Sequence, residues 1–453
     1  MKISALNLSS ILIILSALIN PTLLVTKTDL LIPVILIEIF VLILLLRKLE
    51  LMSYVVFFFS FQFYGVSFLG IKIYDLTFLA LIIYETFRGK GIRFVKPNKF
   101  PIALFFCLIL VAYSFLLIIV SKFNAATISE SFIESSRYLF CFCVFYYFIN
   151  CRIIDYKKFF FSFLFLCISN LLQGVLVYFL FKELVIFDSY ANTLYDISLF
   201  SPLEEARMAG FFSDPNKYYL FFTAVLFFYE CVAYKEKRLG LKRSKYGYLL
   251  IVLCLLGLGS SLSRIALLLI ILYVSYKFVF RFLSKRWYPI IGWATSVSLI
   301  LFFITLPLLI NYYDSFVSLF TSAIGRGESL KYSASLSNDS RINAWVLAIE
   351  EIANHPIMGY GAYYWQSFYY MPPHNTFLSI LMDFGLIGAF LFIGVFYPIF
   401  KHWNNYYVLV FFLIPLLILD LQTFRLCFIM LAFYINESKS ISNESLNSWS
   451  CTI

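Results

Sequence analysis

The chain has 453 residues, of which 62% are hydrophobic and only 13% charged, and a mean hydropathy of +0.88. Soluble globular proteins carry about a quarter charged residues, so this composition excludes a soluble enzyme and describes an all-α polytopic integral membrane protein. The formal net charge of +10 belongs to membrane topology, not to nucleic-acid binding, once the basic residues are placed by loop.

A spanning helix needs about 20 mainly apolar residues, and about fourteen such stretches can be placed. They fall near 5–20, 30–46, 51–67, 73–87, 101–120, 137–150, 159–181, 212–234, 246–259, 262–280, 287–311, 376–400, 404–420 and 424–435. The expected architecture is a single membrane domain over 1–453, a bundle of about 12 to 14 transmembrane helices. The last stretch is short and reads as partly inserted. No small-residue cleavage site follows the first stretch before Pro21, so it reads as a span and not as a removed signal peptide. With both termini in the cytoplasm, inner segments hold about twice as many Lys and Arg residues as outer ones. None of the nine cysteines falls in an outer loop, so no disulfide framework is expected there. Cys141 and Cys143 lack metal or redox spacing.

Two outer segments are long, 182–211 and 312–375, and no internal repeat is visible. In the first, Arg207 leads into Met-Ala-Gly-Phe-Phe-Ser-Asp-Pro-Asn216, where Asp214-Pro215 opens a helix and exposes free N–H groups. The tight turn from Gly257 to Arg264 then returns the chain into the membrane near the outer surface. In the second, Asn338-Asp339-Ser340 is an N-cap signal, and Ile342, Trp345, Ile349 and Ile352 line one face of a short helix that Asn354-His355-Pro356 ends. The Gly359–Trp365 stretch is glycine- and aromatic-rich. Aromatics are ordinary at a membrane interface, and they also form platforms for sugars.

The second loop closes on Pro372-Pro373-His374-Asn375, and His374 is one of three histidines. A lone interfacial histidine commonly does no more than hydrogen-bond. At a helix N-terminus, however, the positive dipole end favours the neutral imidazole that a general base requires. Asn375 or Thr376 is placed to cap that helix. Arg207, Arg264 and Arg341 stand alone in outer segments and outside any basic cluster. A membrane-edge cation is often only an anchor, but the planar guanidinium fork suits phosphate. The outer segments contain no His-x-x-His, no Asp-x-Asp and no carboxylate cluster, so metal ligation finds little support. Glu38, Glu230 and Asp383 lie inside apolar helices and are expected to face the bundle. Asp383 suits an arginine partner as well as a catalytic role.

In order along the chain, these pieces resemble the O-antigen polymerase and O-antigen ligase superfamily of bacterial cell-envelope glycosyltransferases. The likeness rests on Arg207-x-x-Gly-Phe-Phe-Ser-Asp-Pro-Asn216 and Ser263-Arg264. It continues through Ser340-Arg341-x-x-x-Trp345, His355-Pro-Ile-Met-Gly-Tyr-Gly361, His374-Asn-Thr-Phe-Leu378 and Gly385-Leu-Ile-Gly388. Each piece alone is weak, and their order makes the match specific. It runs from Arg207 to Phe400, and the first half agrees only as a string of membrane helices.

The resemblance implies a GT-C-like fold in the bacterial inner membrane and a glycan transfer on the periplasmic side without metal or cofactor. The implied donor is an undecaprenyl-diphosphate-linked oligosaccharide. The implied partners are an acceptor glycan, membrane lipids and a chain-length regulator, with no nucleic acid. Carried onto this chain, Arg207, Arg264 and Arg341 would bind the diphosphate, Asn216 and Asn375 would be further substrate contacts, and His374 would be the base of an inverting attack. Lys217 departs from the family pattern, where a small residue is common, and receives no role. The acceptor distinguishes a polymerase, which joins lipid-linked repeat units, from a ligase, which transfers to a lipid A core. A residue usage that suggests an A/T-rich coding region, typical of polysaccharide gene clusters, and the long first half favour polymerase. A lipid-linked oligosaccharide flippase is the alternative from another class, but it would show two similar halves and charges deep in a central cavity.

Overall fold

The computed structural model describes residues 4–26, 28–68, 71–87, 101–120, 125–151, 153, 155–182, 208, 210–212, 215–238, 245–261, 263–282, 344–345, 347–364, 373–401, 409–419, 421 and 424–450. These are almost wholly helical. In chain order they form α1 (Ala5–Thr26), α2 (Thr28–Leu46), α3 (Met52–Phe61), a hairpin of β1 (Ser67–Phe68) and β2 (Ile71–Lys72), α4 (Ile73–Phe87), α5 (Ile102–Val120), α6 (Ala125–Phe148) and α7 (Tyr156–Lys182). A 3-10 turn (Gly210–Phe212) precedes α8 (Pro215–Arg238), α9 (Lys245–Ser260) and α10 (Arg264–Phe282). A helical stretch at 344–354, here α11, is followed by α12 (Thr376–Val395), α13 (Tyr397–Lys401), α14 (Ile414–Ile418) and α15 (Arg425–Ser450).

Five of these helices hold a segment long and apolar enough to cross a membrane: Ala5–Leu24, Asp29–Leu46, Ile102–Val120, Tyr156–Val177 and Thr376–Val395. Their outward faces are apolar. Leu8, Ile11 and Leu15 on α1, Ile37 and Phe40 on α2, Phe105 and Ile119 on α5, and Leu386 and Phe390 on α12 are all exposed. Water would penalise such a surface, whereas lipid accepts it. Polar groups turn the other way. Asn20 Nδ2 donates to Ser16 Oγ and to Glu38 Oε2, both at 2.8 Å, and all three residues are buried. Glu230 and Asp383 are buried as well, and Tyr273 donates to Glu230 Oε1 at 2.7 Å. An all-α polytopic membrane protein is thus what the sequence folds into.

The described residues divide into two units. The first comprises Met1–Lys96, Tyr146–Val274 and Ile429–Ile453, and the second Pro97–Phe145 and Ser275–Phe428. In the first unit α1 packs on α2 and α7, α9 packs on α7 and α8, and α3 is buried on every side. A helix that is apolar all round belongs in a core. Tyr54 of α3 meets the rings of Phe148, Phe159, Phe228 and Phe433 edge-on, contacts worth about 0.5–1.5 kcal/mol each beyond area burial. At one end, Lys235 Nζ lies 3.3 Å from Glu437 Oε2, and Tyr156 donates to the same carboxylate at 2.6 Å while accepting from Lys235 at 2.7 Å. In the second unit α5 packs along α12, which also contacts α13 and α14.

Several sequence boundaries change. The stretch read as a span over 51–67 is helical only to Phe61, and turn and hairpin follow. Over 404–420 the described part is a π turn (Leu409–Leu413) and α14, broken at an extended Leu419. The last helix is longer than read and ends at Ser450. On α11 the buried residues are Ala344 and Ala348, against Met382, while Ile349 is exposed. Small side chains let that helix approach closely, and of the larger apolar residues Ile352 packs against the same cluster. The stretch read over 287–311 lies outside the described residues.

Candidate functional site

In the second unit the segment Pro373–Thr376 is held from three directions. Ahead of His374, the Trp345 indole of α11 donates to the Pro373 carbonyl. Behind it, Asn375 (φ −147°, ψ 112°) is the N-cap of α12, and its Oδ1 accepts from the N–H groups of Phe377 at 3.0 Å and Leu378 at 3.2 Å. Thr376 Oγ1 donates to the Leu419 carbonyl and accepts from Leu421 N–H at 2.9 Å, which satisfies the chain where α14 ends. Of the two capping candidates, Asn375 therefore caps, and Thr376 anchors the start of α12 to a distant segment. Between these supports His374 takes a left-handed backbone, φ 48°, with a partly exposed side chain. That conformation costs a non-glycine residue about 1–2 kcal/mol. Strain of this kind persists only where surroundings enforce it, and it gathers at functional sites.

Glycines account for the next layer. Gly385 (φ 61°, ψ −162°) interrupts α12, and the segment from Pro356 to Gly361 fills the break by backbone pairing. Tyr360 N–H donates to Met382 O at 3.0 Å and Gly361 N–H to Asp383 O at 2.6 Å, while Leu386 and Ile387 donate back to Pro356 and Ile357 carbonyls at 2.9 and 3.2 Å. A Cβ on Gly359 would strike the backbone of Asp383–Gly385, and one on Gly385 the Ile357 carbonyl. The Gly-Tyr-Gly and Gly-Leu-Ile-Gly pieces are thus two sides of one contact. Tyr113 of α5 also donates to the Met358 carbonyl at 3.2 Å.

Over this loop Tyr360 and Tyr364 stack at 3.8 Å, with His355 edge-on to Tyr360 at 4.3 Å. Tyr364 donates to Glu351 Oε2 at 3.3 Å. Burial first, and then the Glu351 carboxylate, push both phenols above their ordinary range and keep them neutral donors. The pair packs against the Ala344–Ala348–Met382 cluster.

In the first unit the other motif pieces converge. Met208 N–H donates to the carbonyl of Ser260, the last residue of α9, and the Phe211 carbonyl accepts from Gly65 at 2.6 Å. Gly210 (φ 54°) lies against the backbone of Gly174. Ser263, just before α10, donates to Asn216 Oδ1 at 3.0 Å, so the N-termini of α8 and α10 are tied together. Next to Asn216, Lys217 donates to Tyr64 Oη at 2.9 Å and stands 4.5 Å from that ring's centre.

Of the sequence candidates, His374 and Asn375 are adjacent and structured, and Asn216 is joined to the start of α10. Arg264 opens α10, and its side chain lies outside the description, as do Arg207 and Arg341 altogether. Sequence reading passed over Lys217, and a partner 153 positions away leaves no local signal. Among the described residues, no group of three His, Cys, Asp or Glu side chains is placed to hold a metal ion.

Fold and site together define an all-α polytopic membrane protein in which a glycine-dependent loop pairs with the break in α12 and a left-handed histidine precedes that helix's N-cap. Residues 249–393 match the family model described as O-antigen ligase, a likeness consistent with the O-antigen polymerase and ligase superfamily. The match supports a glycosyltransferase-like enzyme of the polymerase or ligase kind. No curated protein gives a significant match.

Proposed function

We propose that this protein polymerises a surface polysaccharide by joining undecaprenyl-diphosphate-linked oligosaccharide repeat units at the periplasmic face of the bacterial inner membrane. His374 accepts the proton of an acceptor sugar hydroxyl. The freed oxygen attacks the anomeric carbon of the donor glycan from the face opposite the diphosphate, so the new glycosidic bond forms with inversion. The anomeric C–O bond to the diphosphate breaks, and undecaprenyl diphosphate leaves. Arg207, Arg264 and Arg341 hold that diphosphate and stabilise the charge it gains. The imidazolium then returns its proton to solvent. The supporting observation is His374 itself, which lies within the matched stretch and is held in a left-handed backbone between a hydrogen-bonded Pro373 carbonyl and the Asn375 cap.

The test is a radiolabelled lipid-linked repeat supplied to the purified protein in detergent. Chain lengthening without ATP or lipid A core is the outcome expected of a polymerase. Transfer only when core acceptor is added would replace polymerase by ligase, and no new bond at all would favour a transporter. Lysine at Arg207 or Arg341 keeps the charge but loses the two-pronged fork, and it should still impair transfer.

A further inference from the structure

The depth at which Pro356–Gly361 meets α12 follows from the helices it touches. Phe106 of α5 packs against Phe390 of α12, and Tyr113 of α5 against Phe384. The two helices therefore run antiparallel, and Val120 lies at the same end as Thr376. The break at Gly385 is about 13 Å from Thr376 at 1.5 Å per residue. Tyr113, which donates to the Met358 carbonyl, is about 10 Å from Val120 by the same rise. Two spanning helices thus put the segment at close to one level, well inside a hydrocarbon core about 30 Å thick. The chain enters and leaves that level by the same end. Near the start of α11, Trp345 donates to the Pro373 carbonyl just ahead of α12. Ala348 packs further down, on Met382, and Pro356 and Ile357 bond to Leu386 and Ile387 below it. Alanines suit this descent, because small residues let helices approach closely in lipid.

Two properties of the segment suit that depth. In hydrocarbon every backbone polar group needs a partner within the protein. The carbonyls of His355, Pro356, Ile357 and Met358 accept in turn from Gly359 N–H at 3.1 Å, Leu386 N–H, Ile387 N–H and the Tyr113 hydroxyl. Pro356 has no N–H to satisfy. The exposed tip is also apolar: Ile357 is 61% exposed and Met358 39%, and their bonded neighbours Leu386 and Ile387 are exposed as well. This patch continues the side of α12, with Leu386 and Phe390, that faces lipid. The imidazole of the same turn, His355, lies edge-on to Tyr360.

We propose that α11 and Pro356–Gly361 form a re-entrant element whose Ile357–Met358 tip docks among the acyl chains of the leaflet at the His374 end. The last part of 312–375, read from sequence as an outer loop, then lies within the bilayer. Through Trp345, which holds the carbonyl ahead of His374, this anchoring also sets the height of that histidine in the membrane. The docking is independent of the donor and acceptor proposed above.

The experiment places a fluorophore at Ile357→Cys in the full chain in phosphatidylcholine nanodiscs. Quenching is measured with iodide in the water and with lipids spin-labelled on the acyl chain. The parent chain, labelled in parallel, gives the background from native cysteines. Phe390→Cys, on the lipid side of α12, and Lys158→Cys, at an exposed ion pair with Asp155, are the comparators. The Ile357 label should follow Phe390, with strong quenching from the acyl chain and several-fold less from iodide than at Lys158. Iodide quenching equal to that at Lys158 would make the segment a surface loop and overturn the proposal. Shielding from both quenchers would overturn it too, because protein, such as a second copy of the chain, would then cover the tip. An unlabelled pair gives a second readout. An exposed side chain in water tolerates a carboxylate, whereas hydrocarbon does not. Ile357→Asp should therefore unfold at a clearly lower temperature than Ile357→Leu in nanodiscs, and equal midpoints would count against docking.

Discussion

His374 carries two separable properties, a strained backbone and a reactive side chain. At φ 48° a glycine would sit without strain, although it also gains freedom in the unfolded chain, and these effects largely cancel. His374→Gly is therefore expected to unfold within about 1 kcal/mol of the parent in detergent while losing glycan transfer completely. His374→Ala should lose transfer equally and stay inserted. Normal chain length in either variant would remove His374 from the chemistry. Asn375 differs, because its Oδ1 serves two N–H groups of α12. Asn375→Ala should cost about 1 kcal/mol as a lost N-cap, read as a lower midpoint of thermal unfolding.

At the scale of elements, the break in α12 is the feature with which the Pro356–Gly361 segment pairs. Gly385→Ala meets both a left-handed φ and the Ile357 carbonyl. It should destabilise by about 3 kcal/mol or more, because backbone and not a flexible side chain must move. Gly259 is the internal control, since a Cβ there meets nothing within 4 Å. Within α9, Gly259→Ala should be neutral or stabilise by up to about 1 kcal/mol. The pair can be compared by thermal unfolding of the purified variants, and equal effects would contradict the backbone contact between Pro356–Gly361 and Met382–Ile387. α11 shows how much a face depends on its partner. Periodicity selects its large apolar residues, of which Ile352 packs against the cluster that Ala344 and Ala348 form with Met382, whereas Ile349 is exposed.

At the scale of the molecule, lipid reverses the usual arrangement: apolar side chains cover the outside, and Glu38, Glu230 and Asp383 turn inward. In the first unit, contacts gather Tyr64, Gly65, Phe211, Asn216, Lys217 and Ser263, and others gather Tyr156, Lys235 and Glu437. That triad gives a prediction of its own. Glu437→Ala leaves a buried ammonium and should cost about 3 kcal/mol, whereas the double change Lys235→Met with Glu437→Leu should recover most of the loss. Thermal unfolding of the single and double variants in detergent checks it. A double variant as unstable as the single one would mean that packing, not charge, holds these helices.

Much of this protein is written locally. Helices that face lipid need long apolar stretches, and a helix start needs a cap, so the spans and the special position of His374 can be read from neighbouring residues alone. The Gly210–Phe212 turn and the His374–Leu378 helix entry are legible for the same reason, as each is local. Tertiary structure decides what depends on residues far apart. It pairs Gly359 with Gly385 through backbone atoms that leave no side-chain pattern, and it ends α3 at Phe61 although the apolar run continues. It also brings Lys217 onto Tyr64 across 153 positions. Hydropathy registers the solvent each helix must meet, but not which helix lies beside it, and only that neighbour gives Lys217 its ring and His374 its support from Trp345.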